Sequence, residues 1–222
     1  MMLYRQLRGH DRVCEGDEVC GVESSRYCRD TATPVPKEWV GAMAVCFAQY
    51  VYRRRAVLVL GHGGHGKGAF CKLLTQLYGA ECLSSSLAAL PHIWPALNAI
   101  ALAWVGEPFA SPEHAYSMRH HSREVWRELI SLYNTPDKTT LTREILSRAD
   151  VYDGMRCAEE FAASRHLFDY VVWVDASARV GTVDPTLTIS RDVADLVIDN
   201  NGTLDDLRGA AVRFGERLGV AL

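Results

Sequence analysis

Residues 61–68 read Gly61-His62-Gly63-Gly64-His65-Gly66-Lys67-Gly68. They follow the apolar run Val57-Leu58-Val59-Leu60 and precede a helix-forming stretch over 69–78. A glycine-rich loop between a buried strand and a helix can turn successive backbone N–H groups toward one anion, and the helix adds the positive end of its dipole. Lys67 places a cation where the β and γ phosphates of a nucleotide would lie. The spacing Gly61-x4-Gly66-Lys67 in this setting predicts a phosphate-binding loop made by Gly61, Gly63, Gly64, His65, Gly66, Lys67, Gly68 and Ala69. His62 and His65 are candidates for phosphate contact, although loop histidines are more often simply exposed. One position departs from the pattern. The Ser or Thr whose hydroxyl usually holds Mg2+ after the lysine is replaced by Gly68, with Ala69 next. Any Mg2+ must then be held through water and carboxylates elsewhere, or the loop is only a phosphate cradle.

From residue 56 onward, short apolar runs at 56–60, 81–84, 150–153, 170–175 and 196–200 alternate with helical stretches. None contains Pro or Gly, which suits buried parallel strands joined by crossover helices. The expected fold is α/β, a five-stranded parallel sheet flanked by helices. A long insertion over 87–148 carries helical stretches around Trp104 and over 113–133 and 138–147. Residues 1–55 have another texture: Tyr4-Arg5-Gln6-Leu7, Gly16-Asp17-Glu18, a Pro34 and Pro36 break, and the basic Tyr52-Arg53-Arg54-Arg55. They predict a small β-rich N-terminal module of about three strands, with the main domain over 56–222.

A chain of 222 residues with 48% hydrophobic and 23% charged residues can bury one sizeable core. No apolar run approaches the roughly 20 residues that a bilayer span needs, and the N-terminus is too polar for a secretory signal. The expectation is a cytoplasmic protein with no membrane partner. A net charge of -3 means that any nucleic-acid contact depends on a local patch. The seven cysteines are odd in number and suggest reduced thiols. Cys14, Cys20 and Cys28 cluster near His10 without a C-x2-C pair, so scattered apolar residues are the plainer reading against zinc; Cys46, Cys71, Cys82 and Cys157 read as core.

Phosphoryl transfer requires positioning and charge neutralisation, which directs attention to carboxylates at strand ends and to arginines facing the loop. Asp153 ends the third strand at the edge where α/β sheets bind ligands. It could hold Mg2+ through water or accept a proton from an acceptor hydroxyl, and its plainer role would be the N-cap of a helix from Met155. Arg156 follows within reach of a transferring phosphoryl group, while Asp175 reads as structural. Arg119, Arg123 and Trp126 fall at spacings of four and three on one expected helix that also holds His120 and His121. They form either a face for an anionic acceptor or a solvated face with Trp126 turned to the core. Ser84 and Ser85, with Ser86, end the second strand as donors to the acceptor. Asn200-Asn201-Gly202 predicts a turn with positive φ, Thr203 capping the last helix, and backbone groups able to read an adenine edge.

The loop, the segment Tyr152-Asp153-Gly154-Met155-Arg156 with Glu159 and Glu160 behind it, Trp173-Val174-Asp175-Ala176-Ser177, and the tail from Ala194-Asp195 through Asn201-Gly202-Thr203-Leu204 together resemble bacteriophage P-loop kinases of the deoxynucleoside monophosphate kinase type. The resemblance covers about residue 56 to the end. Within it, 123–207 is most similar to kinases that phosphorylate 5-hydroxymethyluracil already in phage DNA, a step toward hypermodified thymidine. It implies ATP and Mg2+ as cofactors. It also implies Lys67, Asp153 and Arg156 as catalytic residues, acceptor helices in the 87–148 insertion, and DNA phosphate contacts by Arg53, Arg54, Arg55 and the 119–123 cluster. Two alternatives stand beside it: a kinase of free deoxynucleoside monophosphates, and a non-catalytic nucleotide-binding protein in which Gly68 and Ala69 mark lost Mg2+ chemistry.

Overall fold

The computed structural model describes residues 55–181 and 184–219. The chain divides into two units, Met1–Arg54 and Arg55–Leu222. The expected N-terminal module, its cysteines, Arg53 and Arg54 lie outside the described residues.

Five strands, β1 (Val57–Leu60), β2 (Cys82–Ser84), β3 (Val151–Asp153), β4 (Tyr170–Asp175) and β5 (Leu196–Asp199), form one sheet in the order β2-β3-β1-β4-β5. Every pairing is parallel. Each strand starts within one residue of its expected position. Side chains alternate across the sheet, as a strand period of two requires. Leu58, Leu60, Tyr152, Val171 and Trp173 enter one core, and Val57, Val59, Val151, Val172, Val174 and Ile198 enter the other. β1 is buried on both faces, which explains its unbroken apolar run.

Helices α1 (Lys67–Tyr78) and α7 (Leu204–Leu218) cover the second face. They meet at Phe70 and Phe214, whose ring centroids are 5.7 Å apart. Thr203 and Asp206 form the capping box that starts α7. The expected positive φ at Gly202 is not found. Its missing side chain instead leaves room for the cap, since a Cβ there would lie 2.5 Å from an Asp206 carboxylate oxygen.

On the other face lie α2 (Ser85–Val105), α3 (Pro112–Met118), α4 (Arg123–Tyr133) and α5 (Thr140–Leu146). The single helix expected over 113–133 is broken. A 3-10 turn at Arg119–His121 separates α3 from α4, and Ser122 leaves helical geometry at φ -135 and ψ 40. Arg119 therefore does not share a helix face with Arg123 and Trp126. By length and composition α2 is apolar enough to cross a membrane, contrary to the expectation that no run approaches that length. It carries no charged residue, and it buries Ala88, Ala89, Leu90, Ile93 and Leu97 in the core beside α4 and α5. That burial accounts for its core-facing side alone, since Leu87, Leu102, Trp104 and Val105 remain exposed.

Helix α6 (Ala158–Ser164) starts after Cys157, so Asp153 is not its N-cap. Glu160 of α6 is buried, and its Oε1 accepts a hydrogen bond from the Tyr152 hydroxyl at 2.8 Å. Burial pushes its carboxyl up to about 7, against the opposing pull of Tyr152, Lys138 and Asn134. A carboxyl that binds its proton more tightly folded than unfolded favours the fold at low pH. That contribution is lost as pH rises from the ordinary glutamate value through about 7. Glu160→Gln is expected to flatten this decline and raise stability above pH 7 by about 3 kcal/mol. Urea denaturation at pH 5 and pH 8 checks it: an equal effect at both values would refute the linkage.

Candidate active site

The parallel arrangement brings the 61–68 loop, Ser84, Asp153, Asp175 and Asn200 to one edge, where all five strands end. Gly61 and Gly66 adopt φ of 141 and 91, conformations that favour glycine. Their neighbours also leave no room for a side chain. A Cβ at Gly61 would lie 2.5 Å from the Val174 carbonyl oxygen, and one at Gly66 would collide with the Asn200 amide. That amide donates to the His65 carbonyl at 2.9 Å, tying the end of β5 to the loop.

His65 is buried rather than exposed. Its Nδ1 accepts the Ala176 N–H at 3.1 Å, which assigns the proton to Nε2. Nδ1 is 3.9 Å from Asp175 Oδ1, but as an acceptor it makes no ion pair there. Nε2 is buried without a hydrogen-bond partner among the described residues. Burial, together with neighbouring His65, lowers the pKa of His62, whose Nδ1 accepts the Asp184 N–H at 3.2 Å. Asp175 plays the structural part expected of it: its Oδ1 accepts the Ser177 N–H and its Oδ2 pairs with Arg191 at 3.0 Å.

Lys67 opens α1, and its ammonium donates to the Gly61 and His62 carbonyls at 2.9 and 3.0 Å. Burial lowers its pKa, and the charge of Asp153 opposes that shift. For Asp153 the balance is mirrored: burial raises its carboxyl above the usual range, while Lys67, Arg156 and Arg119 pull it down. Its Oδ1 is sealed from solvent with no hydrogen-bond partner among the described residues. Sequence positions 67, 119, 153 and 156 thus converge on one electrostatic site. Arg119 arrives from the 3-10 turn, its guanidinium stacked 3.9 Å over the Tyr116 ring and donating to the Tyr116 carbonyl.

Asp184 is the residue that sequence reasoning missed. Its side chain is 2% exposed, and its Oδ2 accepts hydrogen bonds from both Arg123 and Arg156 at 2.6 Å. Its Oδ1 accepts the Thr186 hydroxyl at 2.6 Å and the Thr186 N–H at 3.1 Å. Burial alone would raise its carboxyl, but Thr186 and Arg156 hold it well below the carboxylate range. The two arginines are thereby fixed beside the loop, with the Arg123 guanidinium against Gly63, where a Cβ would lie 2.5 Å away. The only local signal was the Asp184-Pro185-Thr186 turn, which points to a bend and not to arginine partners.

The other expected site residues divide. Ser84 caps α2 and its hydroxyl lies 3.2 Å from the Tyr116 hydroxyl, at the site edge. The buried Ser85 donates to the Gly154 carbonyl at 3.0 Å and serves the fold. Trp126 is 3% exposed and belongs to the core, so of its two readings the core one holds. Gly68 and Ala69 lie in the first turn of α1, and a Cβ at Gly68 would meet open space. The backbone of the Asn200 turn is engaged by Arg179, which donates to the Asn200 carbonyl at 3.2 Å. Arg55 pairs with Asp169 at 3.8 Å.

No protein-family model matches the chain, and no curated protein matches it. Solved structures show low similarity. A Thermus thermophilus protein is 20% identical, covering 73% of this chain and 97% of its own with a TM-score of 0.38. A sugar kinase from Janibacter is 15% identical over 75% and 95%, with a TM-score of 0.38. A gluconokinase from Sinorhizobium meliloti is 16% identical over 75% and 96%, with a TM-score of 0.36. The chemistry of this chain is therefore read from its own side chains.

Proposed function

We propose that this protein is a cytoplasmic, ATP- and Mg2+-dependent phosphotransferase acting on a hydroxyl, and that the acceptor is the hydroxymethyl group of 5-hydroxymethyluracil in phage DNA. The observation that carries the reading is Asp153, a carboxylate with a sealed, unpartnered oxygen in the field of Lys67, Arg156 and Arg119 at the sheet edge beside the phosphate loop. A neutral hydroxyl needs a base near the attacking oxygen, whereas a monophosphate acceptor is already anionic and needs only cations. Burial makes the Asp153 carboxylate a stronger base than an exposed aspartate.

In the reaction the acceptor oxygen attacks the γ phosphorus, the bond from that phosphorus to the β-γ bridging oxygen breaks, and ADP leaves. The acceptor proton passes to Asp153. Lys67 neutralises charge on the β and γ phosphates, and Arg156 does so on the transferring group. Among the described residues no three His, Cys, Asp or Glu side chains cluster as metal ligands. The orphaned Asp153 oxygen nevertheless fits Mg2+ held through an intervening water, with substrate phosphates and further waters as the ion's own ligands, which leaves the carboxylate to take the proton. Bound in that way, Mg2+ would supply charge neutralisation on the phosphates.

Incubation with γ-labelled ATP, Mg2+ and either 5-hydroxymethyluracil-containing DNA, thymine-only DNA or free deoxynucleoside monophosphates tests the reading. Label is expected on the 5-hydroxymethyluracil DNA alone. Labelling of only the free monophosphates would transfer the assignment to a monophosphate kinase, a reading that Arg119 and Arg123 would suit. With a base of raised pKa, kcat should climb with pH as Asp153 deprotonates. Asp153→Asn should remove that limb and lower kcat by about 10²–10⁴.

A further inference from the structure

Next to the phosphate loop lies a cleft of about 650 Å3 whose lining includes Gly63, Trp104, His120, His121, Arg123 and Glu124. Its size falls in the range of small-molecule sites, roughly 300–1,000 Å3. Trp104 stands in the last turn of α2, directly before the C-terminal Val105 and Gly106, and is 75% exposed. Most of the other large aromatic side chains on this face are drawn inward. Trp126 is in the core and Tyr116 lies under Arg119. His120 and His121 bring two more rings to the same cleft, their centroids 4.2 Å apart. A broad aromatic face left in solvent beside a phosphate loop is a ready platform for another flat ring.

Charge narrows the occupant further. Of the two carboxylates in the lining, Asp184 is already bound by Arg123 and Arg156, which leaves Glu124 as the sole lining carboxylate without those arginines. Carbohydrate recognition relies on several free carboxylate or amide groups directed at ring hydroxyls, and this lining is poor in them. An aromatic base attached to phosphate fits it better: the flat walls suit the ring, and Arg123, beside Gly63, would offer the phosphate the guanidinium N–H groups that Asp184 leaves free.

We infer that this cleft is a nucleobase-binding subsite in which Trp104 is the stacking platform. This rests on the phosphotransferase reading and adds to it the cleft and the residue that would hold the acceptor base, a role that Trp126, buried in the core, cannot play. The base can come from a DNA strand or from a free nucleotide; the chemistry of the cleft is common to both.

The test is equilibrium binding to the full-length protein, read by fluorescence anisotropy. Three probes are compared: a labelled ten-residue oligothymidylate, an abasic strand of equal length and phosphate count, and thymidine 5′-monophosphate as competitor. The oligothymidylate is expected to bind on the order of tenfold more tightly than the abasic strand. Trp104→Ala should abolish that ratio and Trp104→Phe should retain most of it, with the circular dichroism spectrum unchanged. Competition by thymidine 5′-monophosphate that needs Trp104 assigns the base to a free nucleotide. Binding of the strand without such competition assigns it to DNA. Equal affinity for the abasic strand, a ratio that survives in Trp104→Ala, or binding of no probe overturns the inference. Kinase assays of the wild-type protein keep the two readings apart. A base-dependent ratio in a wild-type protein that transfers no phosphoryl group from ATP would leave the subsite standing while the phosphotransferase reading falls.

Discussion

Replacing Lys67 by Ala is expected to lower kcat for phosphoryl transfer by about 10²–10³, the cost of removing one preorganised charge from a transition state. The ammonium is positioned by the Gly61 and His62 carbonyls and by the field of Asp153, so its removal deletes a cation without opening the hydrophobic core. The melting temperature should change little, and steady-state kinetics alongside thermal melts measures both. The same variant separates a catalyst from a nucleotide-binding protein. A binding protein would lose affinity for nucleotide and have no turnover to lose. Unchanged kcat in Lys67→Ala would remove the loop from the mechanism altogether.

The second large effect is expected from Asp184→Ala. It strips Arg123 and Arg156 of a shared acceptor and leaves two guanidinium groups facing one another beside Gly63. Hydrogen bonds to charged groups contribute about 1.5–3 kcal/mol each. Because the arginines are 40% and 29% exposed, solvent screens part of that. A net loss of about 2–3 kcal/mol follows, or roughly 5–10 °C in melting temperature for a domain of this size. The pH dependence has a definite sign. A carboxylate whose folded pKa is depressed stabilises the fold above its ordinary value near 4, and that stability is lost as pH falls toward the folded value. The gap between wild type and variant should therefore be full at pH 7 and shrink below pH 4. Under the proposed mechanism Arg156 also neutralises the transferring group, so kcat/KM should fall about 10- to 100-fold, by analogy with other misplaced positioning groups. Asp184→Ala with wild-type melting and kinetics would show that the two arginines hold their places without it.

Much of the fold was legible because its determinants are local. Four residues of β1 are apolar in succession, as a strand buried on both faces must be, and Gly61 and Gly66 stand where backbone and neighbours admit no side chain. The same locality placed Asp153 at a strand end. The helical insertion was less legible. Spacings of three and four suggested one helix through 113–133, yet Ser122 breaks it, and helical periodicity carries no information across a break.

Sequence by itself determined the glycine-rich loop between β1 and α1, the five strands and their common carboxyl edge, because strand alternation and glycine placement are written within a few neighbouring residues. Only the tertiary structure decided how the site is completed. Asp184 meets Arg123 across 61 positions and Arg156 across 28, with no periodicity to link them. Which tryptophan enters the core and which faces the cleft depends on how α2 packs against α4: Trp126 is sealed inside and Trp104 is left in solvent. Long-range packing sets those choices, since burial is a property of the surfaces that meet and not of the residue that is buried.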